Sequence, residues 1–213
     1  MAERRTLDGA RARDREVIEV ATRIFWEKGY SGTSVREVAD ALGMLKGSLY
    51  YYIDSKEDLL ERIFQDSHDE VRAIATETLT LPGPATQRLR TFLVRLAEWY
   101  LTNTRRASLY AREWRHASDR LREVMLEQRK YYDKVLLQLV EEAAEEGGIT
   151  PDDAKFAGNF VMSAISSLPD WYRPGGTRSP QTVAAAYADM AMRLLGAAGD
   201  AVDLDVPGTV VAE

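Results

Sequence analysis

The stretch that most constrains this chain is SVREVADALGMLKGSLYYYIDSK, residues 34–56. Ser34 followed three positions later by Glu37 forms a capping-box pattern, in which hydroxyl and carboxylate satisfy backbone N–H groups at a helix start. Val35, Val38, Ala39 and Leu42 then fall on one face of a short helix, with Arg36 and Asp40 turned away. Gly43 ends it, because only glycine enters the left-handed conformation without strain, and a second short helix over 45–52 can follow after a sharp turn. Two short helices joined in this way form a helix-turn-helix, whose second helix fits the major groove of DNA.

That second helix has few residues for a core. Leu49 and Ile53, four apart, can anchor one face, which leaves Lys46, Gly47, Ser48, Tyr50 and Tyr51 to project. A lysine and hydroxyls suit phosphates and base edges, and a glycine permits close backbone approach. For an isolated helix, a solvated face with tyrosines packed on a neighbour is the simpler reading. The flanking sequence reverses that preference.

The order GYSGTSVREVADALGMLKGSLYYYIDSKEDLL, preceded by IEVATRIFWEKGY, closely resembles the DNA-binding domain of the TetR family of bacterial transcriptional regulators over residues 13–64. The resemblance implies a supporting first helix over 13–28 carrying Val17, Ala21, Ile24 and Phe25. It also implies a DNA-contacting set of Ser34, Arg36, Leu45, Lys46, Gly47, Ser48, Tyr50, Tyr51 and Lys56, with Lys56 as a phosphate ligand at the start of the fourth helix. Tyr51, Tyr52 and Ile53 stand where the family often has two ring side chains and a Phe, which points to an unusual operator. Leu45 occupies a position that is usually polar, and either meets a thymine methyl or is buried.

The whole chain of 213 residues, 45% hydrophobic, is long enough for one large domain or two small ones. It has no cysteine, so a disulfide framework, a cysteine nucleophile and a thiolate metal site are excluded. With His68 and His116 as the only histidines, no zinc site is expected, and neither metal nor cofactor is assigned. No apolar run approaches the roughly 20 residues that span a bilayer, and the polar start MAERRTLDGARARDRE does not read as a signal peptide. The expected location is the cytoplasm, with no membrane partner.

Net charge is −6, unevenly distributed. Residues 1–56 hold 10 Lys/Arg against 9 Asp/Glu, whereas residues 57–213 hold 18 against 25, so the acidity lies away from the motif. Residues 1–12 read as a flexible basic arm able to reach phosphates or a minor groove, or equally as a solubilising terminus.

Beyond the motif the apolar spacing stays helical throughout, with no convincing strand, and the fold class is all-α. Ser55 with Asp58 repeats the capping pattern at the start of a connecting helix over 57–80, which LPGP at 81–84 should stop. Residues 84–196 are expected to form a helical effector-binding and dimerisation domain, with helices over 85–103, 105–117, 119–146, 152–168 and 181–195. Residues 197–213 read as a disordered tail.

Leu93, Leu96, Tyr100, Tyr110, Trp114, Tyr132 and Phe160 are candidates to line an apolar cavity between the fifth, seventh and eighth helices. Arg112, Arg115 and Arg173 are candidate cations at its mouth, although aromatics at helical spacing are more often core and such arginines more often solvated. By resemblance the last two long helices build a two-fold four-helix interface, with Ala157, Gly158, Ala164, Ala184, Ala185 and Ala188 allowing close approach and Phe160, Tyr187 and Met190 filling gaps. The protein would then be a homodimer on a two-fold symmetric double-stranded operator. The WYRPGG turn and the REWRHASDRLRE segment resemble a branch of the family that includes regulators sensing acyl-CoA thioesters. The function implied is a repressor released from its operator by a small-molecule effector, an acyl-CoA thioester. Two alternatives stand beside it: a repressor of a multidrug efflux pump sensing lipophilic drugs, and a helical enzyme or scaffold with an incidental motif. No Ser–His–Asp order, phosphate loop or dinucleotide fingerprint supports an enzyme.

Overall fold

The computed structural model describes residues 2–114, 117–150 and 153–197, with side chains from Ala12 onward. Among them are ten helices and no strand: α1 (Ala2–Lys28), α2 (Val35–Ala41), α3 (Lys46–Leu49), α4 (Lys56–Leu79), α5 (Ala85–Thr102), α6 (Thr104–Glu113), α7 (Asp119–Glu145), α8 (Ala154–Ser166), α9 (Leu168–Trp171) and α10 (Pro180–Leu194). Side-chain caps set half of the starts. Ser34, Ser55, Ser118, Asp153 and Ser179 each accept a backbone N–H from the first turn of the helix that follows.

Several boundaries differ from expectation, each for a local reason. Residues 2–12, read as a flexible arm, continue α1 as helix, since they contain no proline and, Thr6, Asp8 and Gly9 apart, consist of good helix formers. The recognition helix α3 ends at Leu49, and Tyr50–Tyr52 form a turn. The helix expected over 152–168 ends two residues early: Pro169 has no N–H to continue the ladder, so α8 stops at Ser166, and a further short helix, α9, follows over Leu168–Trp171. Arg115, His116 and the expected tail beyond 197 lie outside the described residues.

Two cores result. The smaller joins Val17, Ala21 and Phe25 of α1 to Val38, Leu49, Ile53 and the first half of α4, and it reaches Leu109, Leu121 and Met125 of α6 and α7. The larger surrounds α5, whose Leu89, Phe92, Leu93, Leu96 and Ala97 are buried among α4, α7, α8 and α10. At 24 residues and 1.5 Å per residue, α4 runs about 36 Å through both cores.

The seam between α5 and α10 revises the expected dimer contacts. Ala184 and Ala188 are fully buried in this seam, and Gly158 packs against Leu136 of α7, so these three small residues seat helices within the chain rather than across a two-fold axis. Small residues permit close approach to any neighbour, and their spacing alone does not say which. The large apolar groups turn outward instead: Phe156 and Phe160 on α8 are 74% and 64% exposed, and Met190 and Leu194 on α10 are 44% and 50% exposed.

Candidate DNA-binding surface and effector cavity

The capping box at α2 forms as read. Glu37 accepts N–H from Ser34 (2.8 Å) while Ser34 Oγ accepts N–H from Glu37 (3.2 Å). Lys28 of α1 donates to the same carboxylate at 2.6 Å. This lysine bond, followed by those from Ser34, holds the Glu37 carboxyl at about 2. A depressed carboxylate contributes stability above its ordinary value of 4.5, and that contribution is lost as pH falls toward 2. Gly43, at φ +64°, then turns the chain into α3.

α3 is held from beneath by Leu49, fully buried, and Ile53, 3% exposed. Arg62 of α4 fixes the turn that follows it, donating to the carbonyl of Tyr52 (2.7 Å) and to Asp14 of α1 (2.5 Å). The outward face carries Leu45 (80% exposed), Lys46, Gly47 and Tyr51 (89% exposed), with Tyr50 half exposed and Ser48 at the edge. Leu45 is therefore projected and not buried. Lys46 Nζ sits 5.9 Å from the Tyr50 ring centre, and Arg36 pairs loosely with Asp40 (3.8 Å) on exposed α2. Ser34 is exposed but engaged as a cap.

Lys56, expected as a phosphate ligand at the start of α4, is also engaged within the fold. Its ammonium donates to the carbonyls of Tyr30 and Thr33, both at 2.8 Å, and lies 4.3 Å from the Tyr30 ring centre. It thus ties the start of α4 to the loop before α2 and leaves one N–H for another acceptor. Lys56→Met, which keeps the apolar stem, is expected to lower stability by about 1–3 kcal/mol through loss of charged hydrogen bonds. Denaturant unfolding measures that loss, and an unchanged midpoint would contradict the clamp.

Behind this domain lies a cavity of about 360 Å³ enclosed by α4, α5, α6, α7 and α8. It receives five of the expected ligand residues: Leu96, Tyr100, Tyr110, Trp114 and Tyr132. Leu93 is fully buried in the larger core instead. Phe160 is on the outer face of α8, and Arg112 donates to the carbonyl of Trp26 on α1 (2.9 Å). Arg173 donates to the carbonyls of Asp170 and Tyr172 in its own turn, both at 3.1 Å.

The wall also includes groups that were not anticipated, chiefly Phe64, Ser67 and His68 from α4, Gln128 and Arg129 from α7, and Met162 from α8. His68 falls in the apolar stripe of α4 between Phe64 and Val71, and that placement was a legible sign of an inward histidine. Tyr132 Oη contacts His68 Nδ1 and donates to the His68 carbonyl (3.1 Å). Burial pushes the tyrosines up, Tyr110 to about 12, and pushes His68 down. At neutral pH the lining is therefore uncharged apart from Arg129 and Asp133, which face each other at 3.9 Å. An apolar body with one or two hydrogen-bonding groups suits such a wall.

The cavity and the DNA-binding domain share material. Phe64 and Met125 belong to the smaller core and also line the cavity, and Tyr110 meets Phe64 edge-on at 5.0 Å. Glu113, buried at the end of α6, accepts the N–H of Tyr30 (3.2 Å), while Ser118 donates its N–H to Glu57 (3.3 Å).

Comparison with known proteins agrees with this geometry. The family model described as "Bacterial regulatory proteins, tetR family" matches residues 17–63, and "Tetracyclin repressor-like, C-terminal domain" matches residues 82–195. The HTH-type transcriptional repressor KstR2 of Rhodococcus jostii is 29% identical over 187 residues, covering 86% of this chain and 91% of its own length. The structure of the ketosteroid transcriptional regulator KstR2 of Mycobacterium tuberculosis superposes with a TM-score of 0.80 at 26% identity, over 85% of this chain and 93% of that one. AibR, solved in complex with isovaleryl coenzyme A and operator DNA, shares the fold, with a TM-score of 0.76 at 23% identity over 84% of this chain and 98% of that one. The chain belongs to the TetR family, and it is a DNA-binding transcriptional regulator.

Proposed function

We propose that this regulator is a repressor which binds a two-fold symmetric operator as a homodimer and is released when an acyl-CoA thioester occupies the cavity. Membership of a family of transcriptional regulators removes the alternative of an enzyme with an incidental motif. The observation that carries the release mechanism is the sharing of Phe64, Tyr110 and Met125 between the cavity wall and the core beneath the recognition helix. An apolar body entering there packs directly against the Phe64–Tyr110 pair. Because α4 is continuous, a shift at Phe64 moves Arg62 and Lys56, which hold the turn after α3 and the loop before α2. Tenfold weaker DNA binding needs about 1.4 kcal/mol of unequal affinity between the two states.

The dimer face is the exposed apolar row of Phe156 and Phe160 with Met190 and Leu194. Two-fold pairing supplies two recognition elements for two half-sites, which a single four-residue helix needs in order to be specific. AibR, which shares this fold, is seen with an acyl-CoA and operator DNA together, which supports the choice of effector class. Among the described residues, Asp133 is the one carboxylate facing the cavity whose charge a cationic drug could seek, and Arg129 faces it.

The test is a gel-shift titration on the DNA upstream of the protein's own reading frame, with octanoyl-CoA, octanoate and a lipophilic cation as added ligands. Release by octanoyl-CoA is expected. Release by the cation alone would overturn the effector assignment, and failure to bind any upstream or library-selected duplex would overturn the repressor.

A further inference from the structure

The chain contains six lysines against twenty-two arginines. Lys28, Lys46 and Lys56 lie in the DNA-binding domain, and the other three, Lys130, Lys134 and Lys155, all line one groove between α7 and α8. This groove, of about 650 Å³, adjoins the effector cavity, since Asp133 and Met162 line both. Lys130 and Lys134 stand four apart on α7, one helical turn, and Lys155 faces them from the first turn of α8.

The difference in residue type carries meaning. Arginines of this part of the molecule are largely committed to carboxylates, as in Arg88–Glu142, Arg90–Asp189 and Arg106–Glu70. Lys134 and Lys155 form no ion pair among the described residues. The two carboxylates facing the groove are already opposed by cations, Glu127 by Lys130 at 2.6 Å and Asp133 by Arg129 at 3.9 Å. The groove therefore holds excess positive charge within a region, residues 57–213, that is otherwise acidic. Lysine is a flexible, strongly hydrated point charge, suited to phosphates that stay wet. The cavity itself offers a phosphorylated group no unopposed cation, since its Arg129 faces Asp133.

We propose that the groove is a second subsite of the effector site, in which Lys134 and Lys155, with Lys130, take the phosphorylated tail of a ligand whose apolar body lies in the cavity. The tail passes between Asp133 and Met162. This rests on the effector reading above and adds to it the place and the residues that distinguish a thioester of coenzyme A from its free acid. The shared chemistry, an apolar body joined to a phosphorylated tail, is also that of a prenyl diphosphate.

The experiment is calorimetric titration of the full-length dimer with octanoyl-CoA, coenzyme A, octanoate and farnesyl diphosphate, on the wild type and on K134A/K155A. The variant is expected to bind octanoyl-CoA ten- to hundredfold more weakly and with a shallower salt dependence. Its octanoate affinity, its sedimentation as a dimer and its ligand-free operator affinity should not change. K134R/K155R should recover most of the loss. Farnesyl diphosphate binding as tightly as octanoyl-CoA, with the same lysine dependence, would support the subsite and place its recognition in the phosphates alone. Equal losses for octanoyl-CoA and octanoate, an unchanged octanoyl-CoA affinity, or a monomeric variant would each overturn it. Wild-type protein released from DNA by octanoate but indifferent to both phosphorylated ligands would overturn the subsite and leave the repressor standing. Indifference to every ligand would end both the subsite and the acyl-CoA effector assignment, and would leave DNA binding untouched.

Discussion

Phe156→Glu combined with Phe160→Glu is expected to give a folded monomer whose hold on operator DNA falls by about 10²–10⁴-fold, the contribution of linking two binding modules. Both rings are largely in solvent on the isolated chain, so charges there cost the fold little. On a two-fold interface each glutamate meets its own copy and the apolar face of a partner, and neither is tolerated. Ala188→Glu on α10 should behave in the opposite way. Ala188 is fully buried against α5, where an unpaired charge costs about 3–5 kcal/mol, a large share of the roughly 5–15 kcal/mol that holds a domain together. Sedimentation together with thermal melting separates the two cases. A doubly substituted α8 that still sediments as a dimer would remove the interface, and an Ala188→Glu protein that melts normally as a monomer would return Ala188 to it.

That contrast shows where the sequence was legible. Caps were readable because each depends on residues three apart in the chain. Ser34 with Glu37 and Ser55 with Asp58 mark helix starts that the structure keeps. The stripes of α4 and α5 were readable because burial of one helix face imposes the 3.6-residue period. The destination of a face was not readable. Ala184 and Ala188 look alike whether they meet α5 or a partner subunit, and only the packed chain tells them apart.

The cavity shows the same limit. Tyr100, Tyr110, Trp114 and Tyr132 were named for bulk and spacing and do converge, yet Phe160 has the same bulk and points outward. Arg112 and Arg173 were chosen for charge, and each is occupied by backbone carbonyls that no local pattern announces. Lys56 is the sharpest instance. The family resemblance identifies the position, and the structure has its ammonium holding the loop before α2.

Lys46→Ala and Tyr51→Ala should each weaken operator binding by about 1–3 kcal/mol, roughly five- to 150-fold, if they meet base edges. The two losses should differ in kind. Lys46 carries the exposed charge of α3, so its removal should lower the slope of binding against salt by about one unit if it meets a phosphate, and should change base preference at one position if it meets a guanine. Tyr51 carries no charge, and the salt slope should stay the same in Tyr51→Ala. Tyr50 acts on both, because its ring lies beneath Lys46 Nζ and its loss frees that lysine to sample other rotamers. Tyr50→Ala should therefore resemble a partial Lys46→Ala with broadened base preference. Lys56→Met makes the control: its binding loss should accompany the drop in stability and leave base preference intact. Binding curves at three salt concentrations on a set of single-base operator variants distinguish these outcomes. Lys46→Ala and Tyr51→Ala proteins that keep wild-type affinity and base preference throughout would show that α3 does not read the operator.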